Sequence, residues 1–554
     1  MGIKTWKRGL VGLAAAAILA AAAPAHAACG DANNNGNLDA GDASLLLQYI
    51  AGLNPGTSYC GGIGAAAAGC LDLNNDTTAD VADLVILLNK IAGNSTLFFC
   101  TGTPTPIACN SVISNNITNN VTFPSGCDTF IDGTVLVSNG VVVTVQPGAT
   151  VKGKKTSSNG TPSVLVFLRG AKINAAGTAA QPILFTSDQA PGSRAIGDWG
   201  GVVLNGKAPV NCTGGECVAE GLTGITFGGT DPNDSSGILT YARLEFSGVE
   251  LSPDNELNIL TQNGLGRGTT INHVQANYGF DDCFEWFGGT VNEKYLIASA
   301  PGDDGLDWQL GYTGSVQYAI VMQNANNSDN NGRHGIEADN NENGFDFAPR
   351  SNPAFCNITL LGTKAQPPGI GTGSGGRRGM LLRRGTGGRL QNFIVGDFTE
   401  AGVQLADNPT AAQACVAGPA LNTGLTIRNA VFFDNGASGN TMANGNTTTP
   451  CTPAQWYNLL GASNNVTPAT TGGSTGAAPA GLSSNPYPSS RTTTQYVPNA
   501  GSSADGTGTS CTSLDPTWFD ATTYLGAFKP GATAPAEDAS GNWLNSSFVQ
   551  FDVN

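Results

Sequence analysis

The alternation of apolar and polar positions splits the chain into distinct textures. Near the N-terminus, Leu45-Leu46-Leu47-Gln48-Tyr49-Ile50 and Leu84-Val85-Ile86-Leu87-Leu88 recur, followed by Gly52 and Gly93. Each run predicts an amphipathic helix stopped by glycine. From about Cys127 to Phe433 the pattern becomes one of short β-branched runs: Val135-Leu136-Val137, Val141 to Val145, Val164 to Phe167, Ile183 to Thr186 and Gly201 to Asn205. Glycine and asparagine turns separate them, and no helical periodicity competes, so this stretch predicts an all-β body of short strands. Residues 461–510 are rich in Thr, Ser, Gly, Ala and Pro and read as a flexible surface insert.

Internal repeats decide between a sandwich and a solenoid. Phe280-Asp281-Asp282-Cys283-Phe284-Glu285-Trp286 returns 22 positions later as Gly302-Asp303-Asp304-Gly305-Leu306-Asp307-Trp308. The runs beginning at Ile271, Tyr295 and Tyr318 recur at spacings of 24 and 23. Such a period predicts stacked coils that add strands to parallel sheets at about 4.8 Å per coil. The expected fold is therefore mainly β, a parallel β-helix, right-handed by the usual chirality of parallel crossovers, with a small α-helical module in front. Arg333-His334-Gly335-Ile336-Glu337 and Arg377-Arg378-Gly379-Met380-Leu381 extend the ladder, and Thr399 to Gln404 extends it more weakly. Three polar columns result: Asp281, Asp303, Arg333, Arg377; then Asp282, Asp304, His334, Arg378; then Glu285, Asp307, Glu337, Leu381. Phe284, Leu306, Ile336 and Met380 form the column expected to face the core.

Before each N-terminal apolar run lies an oxygen-rich loop. The two loops are 41 positions apart. Oxygen side chains fall at loop positions 1, 3, 5, 9 and 12: Asp31, Asn33, Asn35, Asp39 and Asp42, then Asp72, Asn74, Asp76, Asp80 and Asp83. A hard cation such as Ca²⁺ takes six to eight oxygens, and this spacing supplies them from one turn. The doubled loop-helix pattern over residues 28–98, with Asp at position 12, resembles a type I dockerin. That resemblance implies two bound Ca²⁺ ions and docking to a cohesin-like domain of a scaffold protein. Thr77 stands where the family has glycine, and Ala40-Gly41 and Val81-Ala82 occupy its partner-reading positions. A calcium-stabilised module without such a partner is the alternative.

Composition fixes the compartment. Lys4, Lys7 and Arg8, then Leu10 to Ala23, then Ala25-His26-Ala27 read as a secretory leader over residues 1–27. No later stretch is apolar enough to span a bilayer, so a secreted chain, extracellular or at the cell surface, is expected. The formal charge of −16 offers no basic footprint for nucleic acid. All 13 cysteines follow the leader, so most should pair, with Cys212 and Cys217 closing a small loop and one thiol left over. The expected divisions are the leader (1–27), the dockerin-like module (28–98), a linker (99–120), the β-helix (121–435) and a C-terminal cap (436–554) containing the insert.

Carboxylates stacked at strand spacing repel and need compensation. One reading is a further Ca²⁺ site at Asp282, Glu285, Asp304 and Asp307. Another is catalytic: Asp303-Asp304, His334-Gly335 and Arg377-Arg378 resemble the active-site elements of polygalacturonase-type glycoside hydrolases. That resemblance implies Asp304 as acid, Asp282 or Asp303 as base, and His334 and Arg378 holding a polysaccharide. A third reading is structural, with Asp side chains satisfying turn backbone. Trp199, Trp286, Phe287, Trp308 and Tyr312 are candidates for sugar stacking, with core packing the commoner use of each. His273, inside a strand run, reads as packing. The stretch from Phe185 to Ala208, together with residues 281–292, also resembles a secreted β-helix family of largely uncharacterised bacterial surface proteins, which speaks to fold more than activity.

Overall fold

The computed structural model describes residues 40–50, 81–91, 105–252, 255–324, 334–363, 377–415, 424–436, 442–444, 456, 479, 481–482 and 493–551. The chain divides into two compact units, residues 1–92 and 93–554. In the first, α1 (Ala40–Ile50) and α2 (Val81–Ile91) form where the apolar runs predict them. Ala43, Leu46 and Leu87 are buried, and Leu47, Val85 and Leu88 are exposed. Among the described residues, no helix is long and apolar enough to cross a membrane.

The second unit is a stack of parallel strands. One sheet runs through Gly237–Glu245, Thr270–Asn277, Asn292–Ser299, Ser315–Met322, Ala354–Leu361, Gly388–Gly396 and Leu425–Phe433. A second runs from Thr134–Val137 through Val164–Phe167, Val202–Asn205, Leu260–Asn263, Phe284–Phe287, Leu306–Gln309, Ile336–Ala338 and Arg378–Leu382 to Ala401–Leu405 and Met442–Asn444. The predicted columns hold their register. Phe284, Leu306, Ile336 and Met380 are successive partners, each fully buried. Glu285, Asp307, Glu337 and Leu381 are likewise partners in succession.

The early coils are three-sided. Strands Val142–Val145 and Lys172–Ala176 lie on one side, and Thr150–Gly153 and Ile183–Ser187 on another. Both sides converge on Gly237–Glu245: Gly237 to Thr240 pair with Ile173 to Ala176, and Ala242 to Leu244 with Ile183 to Phe185. A whole turn thereby shrinks to one residue, Tyr241, in the left-handed region at φ +47°. The corner recurs at His273, Tyr295, Tyr318, Asn357, Asn392 and Asn429, with φ between +51° and +64°. Each such non-glycine residue costs about 1 kcal/mol, and stacking offsets it. Ring centroids are 4.4 Å apart for Tyr241–His273, 4.3 Å for His273–Tyr295 and 4.9 Å for Tyr295–Tyr318. Asparagine, which tolerates this conformation, takes over in the last three coils.

The corner corrects one expected register. Ile271 pairs with Glu293, at a spacing of 22 rather than 24, because Tyr295 belongs to the corner opposite His273. Three further expectations change. Thr105–Pro106 and Ser111–Ile113, expected in the linker, are strands of the first coils, tied by the Cys109–Cys127 disulfide. A short helix α3 (Asn408–Ala414) interrupts the β region, capped by Asp407 with proline in its first turn. The aromatics take the core-packing alternative over sugar stacking: Trp199, Trp286, Trp308 and Tyr312 are at most 1% exposed, and Phe287 is also buried.

The C-terminal residues 493–551 do not cap an end; they run along the outside of the first sheet against the order of its coils. Asn429 Nδ2 donates to Thr507 O at 3.2 Å, Asn392 Nδ2 to Thr509 O at 2.8 Å, Asn357 Nδ2 to Tyr524 O at 2.9 Å and Gln275 Nε2 to Gln550 O at 2.8 Å. Disulfide Cys356–Cys511 fastens this strap, whose Leu525, Phe528 and Trp543 pack with Tyr295 and Tyr318 in one apolar cluster. Cys212–Cys217 forms as expected, and Cys283 is a buried free thiol.

Candidate functional site: an acid ladder on the second sheet

Asp282, Asp304, His334 and Arg378 occupy one column at the entry to the second sheet, each followed by a small residue (Cys283, Gly305, Gly335, Gly379). A Cβ at Gly305 would lie 2.4 Å from Val321 of the first sheet, so glycine lets the two sheets close there. Closure turns the preceding side chain along the stack, where each acceptor meets the backbone of the next coil. Asp304 N–H donates to Asp282 Oδ1 at 2.8 Å, His334 N–H to Asp304 Oδ1, and Arg378 N–H to His334 Nδ1 at 3.2 Å. Asp282, Asp304 and His334 are 2–5% exposed. The accepted hydrogen bond places the imidazole proton on Nε2, which lies 3.8 Å from Glu337 Oε2. Burial, with Arg378 and Arg383 nearby, holds the His334 pKa well below 6.5, so the ring is neutral. Arg378 pairs with Glu400.

The next outward column carries Glu285, Asp307 and Glu337. Glu285 accepts from Asn258 Nδ2 and from Gln309 Nε2 at 2.9 Å. Glu337 accepts from Arg383, which also binds Asp339 at 2.9 Å, while Arg384 reaches Asp339 at 2.8 Å. Asp307 differs. Its Oδ1 is buried without a hydrogen-bond partner, and the residue is only 7% exposed. Burial lifts the carboxyls of Asp282, Glu285, Asp304 and Asp307 well above the usual range, and mutual repulsion adds to it. Burial also pushes Glu337 up to about 7 against the pull of Arg383.

Among the described residues, three sets of carboxylates bring oxygens within 4.8 Å of one another: Asp281, Asp282 and Asp303; Asp282, Glu285 and Asp307; Asp304, Asp307 and Glu337. All donors are oxygen, and Asp307 contributes one without a partner. The residues fit a hard divalent cation, which would supply the compensating charge.

The ladder residues named from the sequence thus come together, except Arg333, which lies outside the described residues. Sequence reasoning missed Asn258, Gln309, Asp339, Arg383, Arg384 and Glu220. The first five lie one column or one coil beyond the repeat and are reachable by extending it. Glu220 sits in a long insert with no repeat partner. Burial, with the Glu256 and Glu342 charges, raises its carboxyl to about 7. Of the loop residues expected to hold Ca²⁺ in the first unit, Asp42 and Asp83 are described. Both sit in first helical turns and are fully buried. Asp31, Asn33, Asn35, Asp39, Asp72, Asn74, Asp76 and Asp80 lie outside the described residues.

Two long parallel sheets closed by repeating turns define a parallel β-helix protein. Residues 115–473, well over half of the chain, match the pectate-lyase-like β-helix domain, and the chain belongs to that family. No curated protein and no solved structure matches it.

Proposed function

We propose that the protein is a secreted, calcium-dependent β-helix protein that binds extracellular polysaccharide through its second sheet, carried on an N-terminal module that holds two Ca²⁺ ions and docks to a cohesin-like partner. The observation that carries the calcium reading of the β-helix is Asp307 Oδ1, buried without a partner between Asp282, Glu285, Asp304 and Glu337. A bare charge there is unstable, and a cation removes the cost. The polysaccharide reading rests on membership of the pectate-lyase-like family. The burial of Asp42 and Asp83, at the last position of each loop, and the exposed Leu47, Val85 and Leu88 support the docking module. Affinity electrophoresis through gels containing polygalacturonate or neutral glycans tests the reading. Retardation that needs Ca²⁺ and is lost in Asp307→Asn supports it; equal mobility in every gel overturns it.

A second reading makes the ladder a glycoside hydrolase, with Asp304 as acid, Asp282 or Asp303 as base and His334 and Arg378 holding the sugar. It is favoured by burial, which shifts Asp304 upward toward the protonated form that a general acid uses. Adjacent coils, however, stand about 4.8 Å apart, short of the roughly 6.5–9.5 Å that an inverting pair uses to admit water. Reducing-sugar release from a plant-glycan panel, abolished by Asp304→Asn, would establish the hydrolase over the binder.

A further inference from the structure

The strap at residues 493–551 is held to the first sheet as a separate peptide would be. Three side-chain amides on the outer face of the sheet each pair reciprocally with the main chain of one strap residue, as the edge of a neighbouring strand would. Gln275 accepts from Gln550 N–H at 2.9 Å and donates back to Gln550 O. Gln317 accepts from Asp520 N–H at 2.9 Å and donates to Asp520 O at 3.2 Å. Asn392 pairs in the same way with Thr509. Elsewhere the sheet again meets strap main chain: Asn357 donates to Tyr524 O, Arg243 Nη1 to Phe548 O at 3.1 Å, and Thr359 Oγ1 accepts from Ala527 N–H at 2.9 Å. Such a track holds an extended peptide by its backbone, and apolar pockets select it. Leu525, Phe528 and Trp543, each at most 1% exposed, fill those pockets.

We propose that this track also takes the strap of a second copy of the chain, giving a strap-exchanged dimer in which Cys356 of each copy is bonded to Cys511 of the other. The contacts after exchange are those already made within one chain, so no new interface is required. The connection between solenoid and strap has the reach. Trp456 is fixed on the last coil, its Nε1 donating to Leu425 O at 2.8 Å, and Leu482 packs against the apolar cluster under the strap. The stretch between those two residues extends to roughly 90 Å at about 3.5 Å per residue. The track from Asn429 to Gln275 spans five coil steps, about 24 Å. Residues 461–478 are small or polar apart from Val466 and Pro468, so this part of the connection carries no large side chain to bury.

Exchange needs no oxidant. The thiolate of a small thiol such as glutathione opens one Cys356–Cys511 bond, bonding to Cys356 and leaving Cys511 as a thiolate. The freed strap docks on the second copy, where its Cys511 thiolate attacks Cys356 and displaces that copy's own Cys511. The displaced Cys511 thiolate then closes on Cys356 of the first copy, and the small thiol leaves. Two protein disulfides are broken and two are formed. Both cysteines are fully buried while the strap is docked, so the thiol acts on chains whose strap has lifted.

Full-length chain made in light and heavy-isotope forms tests the proposal. The two forms are mixed at high concentration with reduced and oxidised glutathione, then alkylated, fractionated by size and digested without reduction. Cys356–Cys511 peptides that join a light chain to a heavy one should exceed those of a glutathione-free mixture at least tenfold and should be enriched in the dimer fraction. Absence of mixed Cys356–Cys511 peptides overturns the proposal. Equal mixing at Cys109–Cys127 and Cys212–Cys217 would show general scrambling and overturns it as well.

Discussion

Glu285 and Asp307 are register partners on adjacent parallel strands, and their carboxylates share one buried space with Asp282. Glu285 is held by Asn258 and Gln309, whereas Asp307 Oδ1 has no partner. The consequence is a substitution whose sign depends on calcium. Without the ion, Asp307→Asn removes a carboxyl whose ionisation burial and its acidic neighbours oppose, and should raise the melting temperature. With calcium in excess, it removes a ligand and should lower the melting temperature relative to wild type. The effect in each direction should be about 1–3 kcal/mol. Every tryptophan but Trp6 lies in the second unit, so tryptophan fluorescence chiefly follows the β-helix rather than the N-terminal loops. The same sign in EDTA and in calcium would remove the cation from the ladder.

The strap along the first sheet gives a second prediction. Cys356–Cys511 joins it to a central coil across 155 residues of chain. Cys511→Ser, or mild reduction, should cost about 2–5 kcal/mol and expose residues 493–551 to protease while the coils persist. The strap's side of the interface is apolar, through Leu525, Phe528 and Trp543, so the released form should also bind a hydrophobic dye. Unchanged digestion of Cys511→Ser would show that packing alone holds the strap.

What could be read from the sequence followed from chemical identity between coils. The Asp-Asp and Trp repeat at 281–308 fixed the register of Phe284, Leu306, Ile336 and Met380, and with it the ladder, because like residues mark like positions. The corner column was not legible for the opposite reason. Tyr241, His273, Tyr295, Tyr318 and three asparagines share a left-handed backbone rather than a side-chain type, and no single residue class signals it. Tyr295 therefore aligned with Ile271 when its true counterpart was His273. The strap contacts escaped too, since Gln275 and Gln550, 275 positions apart, meet only through tertiary folding. The same holds for Glu220, which reaches the ladder's surroundings from an insert outside the repeat.

The corner itself can be tested at Asn392, where backbone and side chain carry separable loads. Its φ is +59°, its Nδ2 donates to Thr509 O at 2.8 Å, and its Oδ1 accepts from Thr509 N–H at 3.2 Å. Asn392→Gly keeps the backbone comfortable but loses the side-chain bonds to the strap, a weaker one to Cys511 Sγ included. Asn392→Ala loses the bonds and strains the backbone by about 1 kcal/mol more. Alanine should therefore be less stable than glycine, against the usual order of the two in a strand. Denaturant midpoints for the two variants decide the point; alanine equal to or above glycine would refute the load assigned to the corner.

Glu293 supplies a pH dependence from inside the solenoid. It is fully buried, accepts from Trp286 Nε1 at 2.7 Å, and has its other oxygen without a partner. Burial raises its pKa from 4.5 to about 8, with the Trp286 bond pulling the other way. The folded chain thus keeps a proton that the unfolded chain loses at 4.5. Its contribution to stability is complete below pH 4.5, declines as pH rises from 4.5 to about 8, and is gone above that. Glu293→Gln keeps the acceptor for Trp286 and carries no charge. It should flatten the stability profile over that window, matching wild type at low pH and exceeding it at pH 8. Chemical unfolding followed at pH 5, 6.5 and 8 measures the slope, and parallel profiles for the two proteins would mean that Glu293 is already ionised in the core at neutral pH.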